Sequence, residues 1–342
     1  MNVRLTYGIT VFLLIVAIIL SIIYGEVSVS MNDVQAYFYH ILLGQEVNTI
    51  PSSAITYIRI PHIITAFLIG AGLSLTGLVM QTVMQNDLAD PYLLGISSGA
   101  NLGAVAAIIL GITTFANVAG IGIFAFLGAL IVAFIILSIA NIMRRLDAVT
   151  MILIGFGINA FIMGLVSFSI TLMADTSKTK SIQFWLLGSL QNVSVSLTTV
   201  LFVVIILGLI FFISQSRILD MMLLGEELSI TMGRSLVVYR QIYIVIVSII
   251  VGFIVYASGI IGFVGLVIPH CARFIVGQKH KRLIPLTMLI GGTFLIWADA
   301  IGRNIISGME LPIGVSAAVC GAPLFLWLLL KRGSKRWNLE NG

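Results

Sequence analysis

The sequence predicts an all-α, polytopic membrane protein of about ten transmembrane helices. Of its 342 residues, 59% are hydrophobic and only 9% are charged, and the mean hydropathy is +1.15. A soluble domain carries about 25% charged residues, so a chain this poor in charge could not maintain a water-facing surface. The bilayer must be its main solvent, and we expect a single transmembrane domain over residues 1–342.

Ten apolar runs approach the length of about 20 residues that a membrane helix needs. They cover residues 7–24, 61–84, 93–112, 118–142, 149–173, 194–214, 238–256, 259–278, 283–300 and 312–331. Lipid cannot satisfy exposed backbone groups, which leaves helices or a closed β-barrel. Barrel strands alternate in hydrophobicity about every ten residues. These continuous apolar runs do not alternate, so helices are predicted.

The first run could be mistaken for a secretory signal, because Arg4 precedes apolar residues from Ile9 to Ile23. The run is long for a signal, however, and no small-x-small cleavage site follows it. We interpret it as an uncleaved first span.

The charges predict the orientation in the cell membrane. An even number of spans places both termini on one side. If that side is the cytoplasm, four basic residues lie outside: Arg59, Lys178, Lys180 and Arg303. Fourteen lie inside: Arg4, Arg144, Arg145, Arg217, Arg234, Arg240, Arg273, Lys279, Lys281, Arg282, Lys331, Arg332, Lys335 and Arg336. This distribution obeys the positive-inside rule, and basic residues between apolar runs indicate topology rather than nucleic-acid binding.

Three stretches are predicted not to span. Residues 25–58 and 174–192 would lie outside, and residues 215–237 would form the largest cytoplasmic segment. The cytoplasmic segment combines an apolar run at 221–224 with Glu226 and Glu227, so it is predicted to form short amphipathic helices broken at Gly225 and Gly233. A helix lying on lipid prefers basic residues on its polar face, so the acidic pair favours the groove of a partner protein.

The sequence has no motif for covalent chemistry. It lacks a Walker A pattern, HExxH, GxSxG and any metal-spaced Cys/His cluster, and Cys271 and Cys320 stand apart from each other. We therefore expect a chain that is not an enzyme and binds no metal or cofactor.

Charged residues within reach of the membrane are functional hypotheses by default. Asp87 and Asp90 bracket a loop, Asp299 and Arg303 lie four apart on one helix face, and Arg59 precedes Pro61. Lipid-facing anchors or structural ion pairs remain the alternative interpretation of these charges.

Seven blocks resemble those of FecCD-type permeases, the membrane subunits of importers for ferric siderophores, haem and vitamin B12. The longest is GAGLSLTGLVMQTVMQNDLADPYLLGISSGA at residues 70–100. The others are RIPH (59–62), FWLLGSL (184–190), LLGEELSITMG (223–233), GFVGLVIPHCAR (262–273), DAIGR (299–303) and LPIGVSAAVCGAPLFLWLL (311–329). They occur in the family's order and cover nearly the whole chain.

The resemblance implies ten helices and an assembly with several partners. These are a second permease copy or paralogue, two cytoplasmic ATPase subunits that use ATP and magnesium, an extracytoplasmic substrate-binding protein, and membrane lipid.

Three sets of residues match functional positions of that family. The set for docking the binding protein is Arg59, His62 and Arg303, where His62 stands at a position that is often a second arginine. The set for coupling to the ATPase is Leu224, Gly225, Glu226, Glu227, Met232 and Gly233. The set for the pathway and its gate is Ala148, Val149, Thr150, Gly155, Asn159, Gly314 and Ser316.

The resulting hypothesis is an alternating-access permease, with a ferric siderophore as first choice of cargo, haem second and cobalamin third. Two rivals stay open. An ion-coupled secondary transporter would need carboxylates deep in the membrane, and the span centres lack Glu. An intramembrane hydrolase could use His270 and Asp299, but no nucleophile accompanies them.

Overall fold

The computed structural model is almost entirely helical. It describes residues 3–24, 29–43, 50–92, 94–112, 114–115, 118–143, 148–172, 176–190, 193–225, 229, 236–305 and 311–340. Among these residues, seven helices are long and apolar enough to cross a membrane, and three further apolar helices have 10–17 residues. The predicted all-α membrane fold is confirmed.

The helices follow the chain in this order: α1 (Val3–Ile23), α2 (Met31–Leu42), α3 (Ile50–Ala54), α4 (Ile60–Val83), α5 (Ile96–Ile109), α6 (Gly120–Ile142), α7 (Ala148–Leu172), α8 (Thr176–Leu186), α9 (Val195–Ser214), α10 (Ser216–Met222), α11 (Val237–Ser258), α12 (Val264–Val276), α13 (His280–Asn304) and α14 (Ile313–Glu340). Two short antiparallel strands, β1 (Thr114–Phe115) and β2 (Val118–Ala119), pair between α5 and α6, with Thr114 opposite Ala119. Each predicted span coincides with one helix of this series.

The second membrane helix begins earlier than predicted. Helical backbone runs from Pro51 to Val83, because a π-turn at Ile55–Arg59 joins α3 to α4. Pro61 was expected to mark the start, since proline lacks an N–H and clashes with a carbonyl of the preceding turn. The π-turn is wider than an α-helical turn and is closed by the Ile60 N–H and the Ile55 carbonyl. It accommodates the proline ring inside a continuous helix.

The outer segment also contains α2, which begins with a capping box. The Ser30 hydroxyl and backbone N–H donate to Asp33 Oδ2 at 2.7 and 2.8 Å, and the Asp33 N–H donates to Ser30 Oγ at 3.2 Å. These bonds from the Ser30 hydroxyl and N–H hold the pKa of Asp33 below its ordinary value. Residues 25–58, predicted as a non-spanning stretch, therefore include local helix where they are described.

Two other membrane helices begin later than predicted. The spans 93–112 and 259–278 contain α5 from Ile96 and α12 from Val264. The residues that precede them have left-handed backbone, with φ of +83° at Gly95 and +69° at Phe263, which a helix cannot continue. Irregular backbone at membrane depth is tolerated only when protein covers it, and Ile261 is fully buried here.

The helix containing α4 lies at the centre of the bundle, with 89% of its most apolar stretch buried. It packs along α13 at glycines: a Cβ at Gly70 would overlap the backbone of Gly291, and one at Gly77 would overlap the backbone of Gly265 in α12. Small residues at these points let the helix backbones approach closely.

Polar contacts between helix ends fall into two groups, one at each end of the bundle. This is expected when successive helices cross one membrane in opposite directions. One group comprises Tyr7 with Arg282, Gln85 with Met222, Asp220 with His280, and Asn141 with Gln241. The other comprises Ser21 with Arg303, His62 with Asp299, Lys178 with Ile109, and Ser189 with Ser258. We call these the inner end and the outer end, following the predicted orientation.

Candidate functional site

A buried polar cluster lies at the outer end, made of Ser21, Arg59, His62, Asp299 and Arg303; we call it the outer cluster. His62 Nε2 is 3.1 Å from Asp299 Oδ1, and Arg303 Nη2 is 2.8 Å from Asp299 Oδ2. Arg303 also donates to Ser21 Oγ at 2.6 Å. The carboxylate of Asp299 thus joins α4 to α13, and Arg303 joins α13 to α1.

Helix geometry explains how these side chains meet. Asp299 and Arg303 are four apart in the last turns of α13 and therefore lie on one helix face. Arg59 lies at the end of the π-turn, three residues before His62. The positive charge of Arg303 is near enough to repel that of Arg59. The outer cluster as defined carries two guanidinium groups and one carboxylate.

The three residues assigned to docking are brought together, but they are buried in the described chain. Arg59 is 3% exposed, and the Arg303 side chain is 7% exposed. Asp299 holds Arg303 within the helix bundle because a charge at this depth needs a nearby partner. The spacing of Asp299 and Arg303 was visible in the sequence, whereas the contribution of Ser21 had no sequence signal.

The coupling segment is described in its first part. Helix α10 leads into a turn at Leu223 and Leu224, where Leu224 is 54% exposed. Gly225 has a φ of +96°, which confirms the predicted break there. Glu226, Glu227, Met232 and Gly233 lie outside the described residues.

A polar cavity of about 290 Å³ opens at the inner end beside this segment. Arg273 crosses it, bonding Gln81 at 2.5 Å and pairing with Asp87 at 3.2 Å. The cavity is lined by Gln81, Gln85, Asp87, Leu223, His270, Arg273, Phe274 and Gln278. Leu223 belongs to both the coupling segment and the lining of the cavity. A movement of the coupling segment would therefore change the shape of the cavity.

The irregular starts of α5 and α12 lie side by side around Asp90. Asp90 Oδ1 accepts from the Tyr92 N–H at 2.8 Å, and a Cβ at Gly265 would lie 3.4 Å from Asp90 Oδ2. The residue is only 5% exposed. Interrupted helices of this kind often mark the moving or binding parts of transporters.

The residues assigned to the pathway occupy two environments. On α7, Val149 is 67% exposed, Thr150 and Asn159 are partly buried, and Gly155 packs against Leu94. The side chain of Ala148 lies outside the described set.

The two pathway residues on α14 are engaged within the chain. The Gly314 N–H donates to the Leu187 carbonyl at 3.1 Å, and Ser316, 4% exposed, packs against Gly302. Among the pathway candidates, the inner end of α7 therefore has the most accessible surface.

The hydrolase rival finds no support in this arrangement. His270 lines the inner cavity, whereas Asp299 belongs to the outer cluster. In the part of the chain that the structure describes, no group of three or more His, Cys, Asp or Glu side chains could hold a metal ion.

Comparison with known proteins shows the family over nearly the whole chain. The profile of the FecCD transport family matches residues 13–331. The chain is 36% identical over 331 residues to the "Probable iron chelatin transport system permease protein" of Helicobacter pylori strain 26695, covering 95% of this chain and 98% of that protein. It is 34% identical over 321 residues to the vitamin B12 import system permease protein BtuC of Escherichia coli strain UMN026, covering 94% and 93%.

A solved structure gives the same fold. It belongs to a transporter assigned to the metal-chelate type of ABC transporter, in an inward-facing conformation, and superposes with a TM-score of 0.84 at 29% identity. The superposition covers 96% of this chain and 99% of that chain.

We predict that Asp299→Ala destabilises the protein much more than Asp299→Asn. Removing one partner of a buried ion pair typically costs about 3–5 kcal/mol, because the other charge stays buried. Asparagine keeps an amide oxygen that can still accept from Arg303 or His62, so it leaves fewer buried polar atoms unsatisfied than alanine does. The measurement is thermal unfolding of the detergent-purified chain, together with its level in the membrane. Equal stability of Asp299→Ala and the wild type would show that Arg303 needs no internal partner.

Proposed function

Because the chain belongs to the FecCD transport family, we propose that it is the permease subunit of an ATP-driven importer that receives a metal chelate from an extracytoplasmic binding protein and releases it into the cytoplasm. The observation that carries this proposal is the family match over residues 13–331. The bundle of membrane helices and the absence of ATP-binding and catalytic motifs from the sequence agree with it.

We propose a bulky metal chelate as the cargo, with a ferric siderophore first, haem second and cobalamin third. Relatives named for an iron chelate and for vitamin B12 are similarly close, at 36% and 34% identity, so identity does not rank them. The order follows how often the family carries each cargo. A bulky chelate suits a pathway of dispersed contacts, such as the accessible apolar surface of α7.

Docking of the binding protein is assigned to Arg59, His62 and Arg303. Their grouping in the outer cluster supports this assignment, since in the predicted orientation that cluster would lie at the end of the bundle nearest a binding protein. An acidic side chain of the binding protein would compete with Asp299 for the guanidinium of Arg303. Docking would then exchange the Asp299–Arg303 ion pair within α13 for an intermolecular one and would weaken the contact of Arg303 with Ser21, which joins α13 to α1.

Transport is assigned to alternating access of a permease pair driven by two cytoplasmic ATPase subunits. The coupling segment at about 215–237 would lie in a groove of the ATPase, with Leu224 available for burial and Gly225 providing the turn. Closure of the ATPase pair would push α10 and switch the bundle between outward-open and inward-open packings. Both termini would lie in the cytoplasm.

The function is tested by reconstituting the chain into proteoliposomes with its ATPase subunits and loaded binding protein. Uptake should require ATP inside and should stop when the ATPase carries a substitution of its P-loop lysine. A proton or sodium ionophore should leave uptake unchanged. The cargo is identified by which of the three chelates raises the melting temperature of the binding protein. Uptake that survives loss of the ATPase but fails with an ionophore would favour the ion-coupled secondary transporter.

The orientation is tested by labelling in a background with Cys271→Ser and Cys320→Ser. Lys178→Cys should react with an impermeant thiol reagent applied to intact cells, because α8 is assigned to the outside. Lys281→Cys should react only after permeabilisation. The reverse pattern would contradict the orientation and with it the docking and coupling assignments.

The docking assignment predicts that Arg59→Gln or Arg303→Gln weakens capture of the loaded binding protein by at least about tenfold, as expected for losing one side of a charged contact. Glutamine avoids placing a second carboxylate beside Asp299. Lys180→Gln is the matched control, since it removes an exposed outer charge. Capture is measured by surface plasmon resonance on nanodisc-embedded complex. Unchanged affinity in both arginine variants would limit these residues to a structural role.

A further inference from the structure

A second buried polar cluster lies at the inner end, opposite the outer cluster, and is centred on His280. This residue opens α13 and is fully buried. Its ring Nδ1 is 2.7 Å from Asp220 Oδ1, and its backbone N–H donates to the same oxygen at 2.9 Å. Its ring Nε2 is 2.9 Å from Thr82 Oγ1. We call Thr82, Asp220 and His280 the inner clamp.

The inner clamp joins three helices through one imidazole. Asp220 comes from α10, the start of the coupling segment, and Thr82 from the last turn of α4. By accepting the His280 N–H, Asp220 also satisfies a backbone donor at the start of α13, where a negative charge is favourable. The Asp220 side chain is 41% exposed while that of His280 is 1% exposed, so the contact runs from the protein surface into the core.

Both ring contacts persist in either protonation state of His280. An ionised carboxylate can only accept, so Nδ1 carries a hydrogen. In the neutral ring, Nε2 accepts from the Thr82 hydroxyl. In the charged ring, Nε2 donates to Thr82 Oγ1, which can donate to the Leu78 carbonyl at 2.9 Å. The inner clamp therefore holds the three helices together whether His280 is neutral or charged, and we do not expect it to respond to pH.

A neighbouring contact strengthens the same connection. The Gln85 side chain donates to the Met222 carbonyl at the end of α10. Helix α10 is thus held to α13 by Asp220 and to the chain after α4 by Met222. An exposed ion pair alone would contribute only about 0–1 kcal/mol to stability. The ring of His280 is buried and bonded at both nitrogens, so pulling it away from its partners would leave buried polar atoms without hydrogen bonds, which costs more.

The helices that His280 joins are themselves paired along their length. Helices α4 and α13 meet at the close approach of Gly70 and Gly291 and again at the bond between His62 and Asp299. Helix α13 is roughly 37 Å long, so the pair connects the inner clamp to the outer cluster. A shift of α10 would be passed to both helices together.

We propose that His280 is a positioning residue for energy coupling: it transmits movement of the coupling segment to the α4–α13 pair and so to the docking face. This inference rests on the proposed importer function. It assigns a role to Asp220, His280 and Thr82, which lie beyond the coupling positions suggested by the family resemblance.

The test compares Thr82→Val and His280→Gln in the reconstituted complex with ATPase and loaded binding protein. Thr82→Val keeps the side-chain shape and removes one bond of the clamp. Tyr7→Phe is the matched control, because it removes an inner-end hydrogen bond, from Tyr7 to the Arg282 carbonyl at 3.1 Å, that does not involve the coupling segment. The readout is the number of chelate molecules imported per ATP hydrolysed, and thermal unfolding is measured in parallel.

We expect Thr82→Val and His280→Gln to lower the number of chelate molecules imported per ATP by roughly three- to tenfold, while ATP hydrolysis continues. This is the factor by which losing one buried hydrogen bond changes an equilibrium constant. Tyr7→Phe should keep the wild-type ratio. Variants that lose only thermal stability and keep the ratio would overturn the role of His280 and leave the proposed function intact. A wild-type complex without ATP-dependent import would overturn both.

Discussion

The requirement that every charge inside the bilayer find a partner within the protein organises this bundle. It draws α4 and α13 together at the outer end through Asp299, and a buried hydrogen bond between His280 and Thr82 joins the same helices at the inner end. Between these points, glycines allow the two backbones to approach until little space remains for relative sliding. Helices α4 and α13 therefore form a tightly packed central pair, whereas α7 is far more exposed, with 22% of its most apolar stretch buried.

The number and identity of the membrane helices could be predicted because hydrophobicity over about 20 residues is a local property of the chain. The exact residues at which these helices begin depend on local backbone conformation, which hydrophobicity does not predict. Pro61 looks like a helix start, yet a π-turn accommodates it inside a continuous helix. Apolar residues at 259–263 look like span, yet the positive φ at Gly259 and Phe263 keeps them out of the helix.

The candidate sites were predictable to different degrees for a related reason. Asp299 and Arg303 are four apart on one helix, so their pairing follows from helical geometry. His62 lies 237 residues from Asp299, and His280 lies 198 residues from Thr82, so only the packing of α4 against α13 reveals these contacts. The family resemblance suggested Arg303 as a docking residue but gave no indication that an internal carboxylate, that of Asp299, would pair with it.

The π-turn before α4 also determines which side chains in the outer part of this helix face the protein. One extra residue in a turn rotates everything beyond it by about 100° relative to an uninterrupted α-helix. With that offset, Tyr57 and Ile58 are 76% and 60% exposed, while the adjacent Arg59 is 3% exposed. Two apolar side chains thus face the surroundings and the cation faces protein. Loss of a single residue here would rotate the outer part of the helix by about 100° relative to α4 and so change which of its side chains face protein.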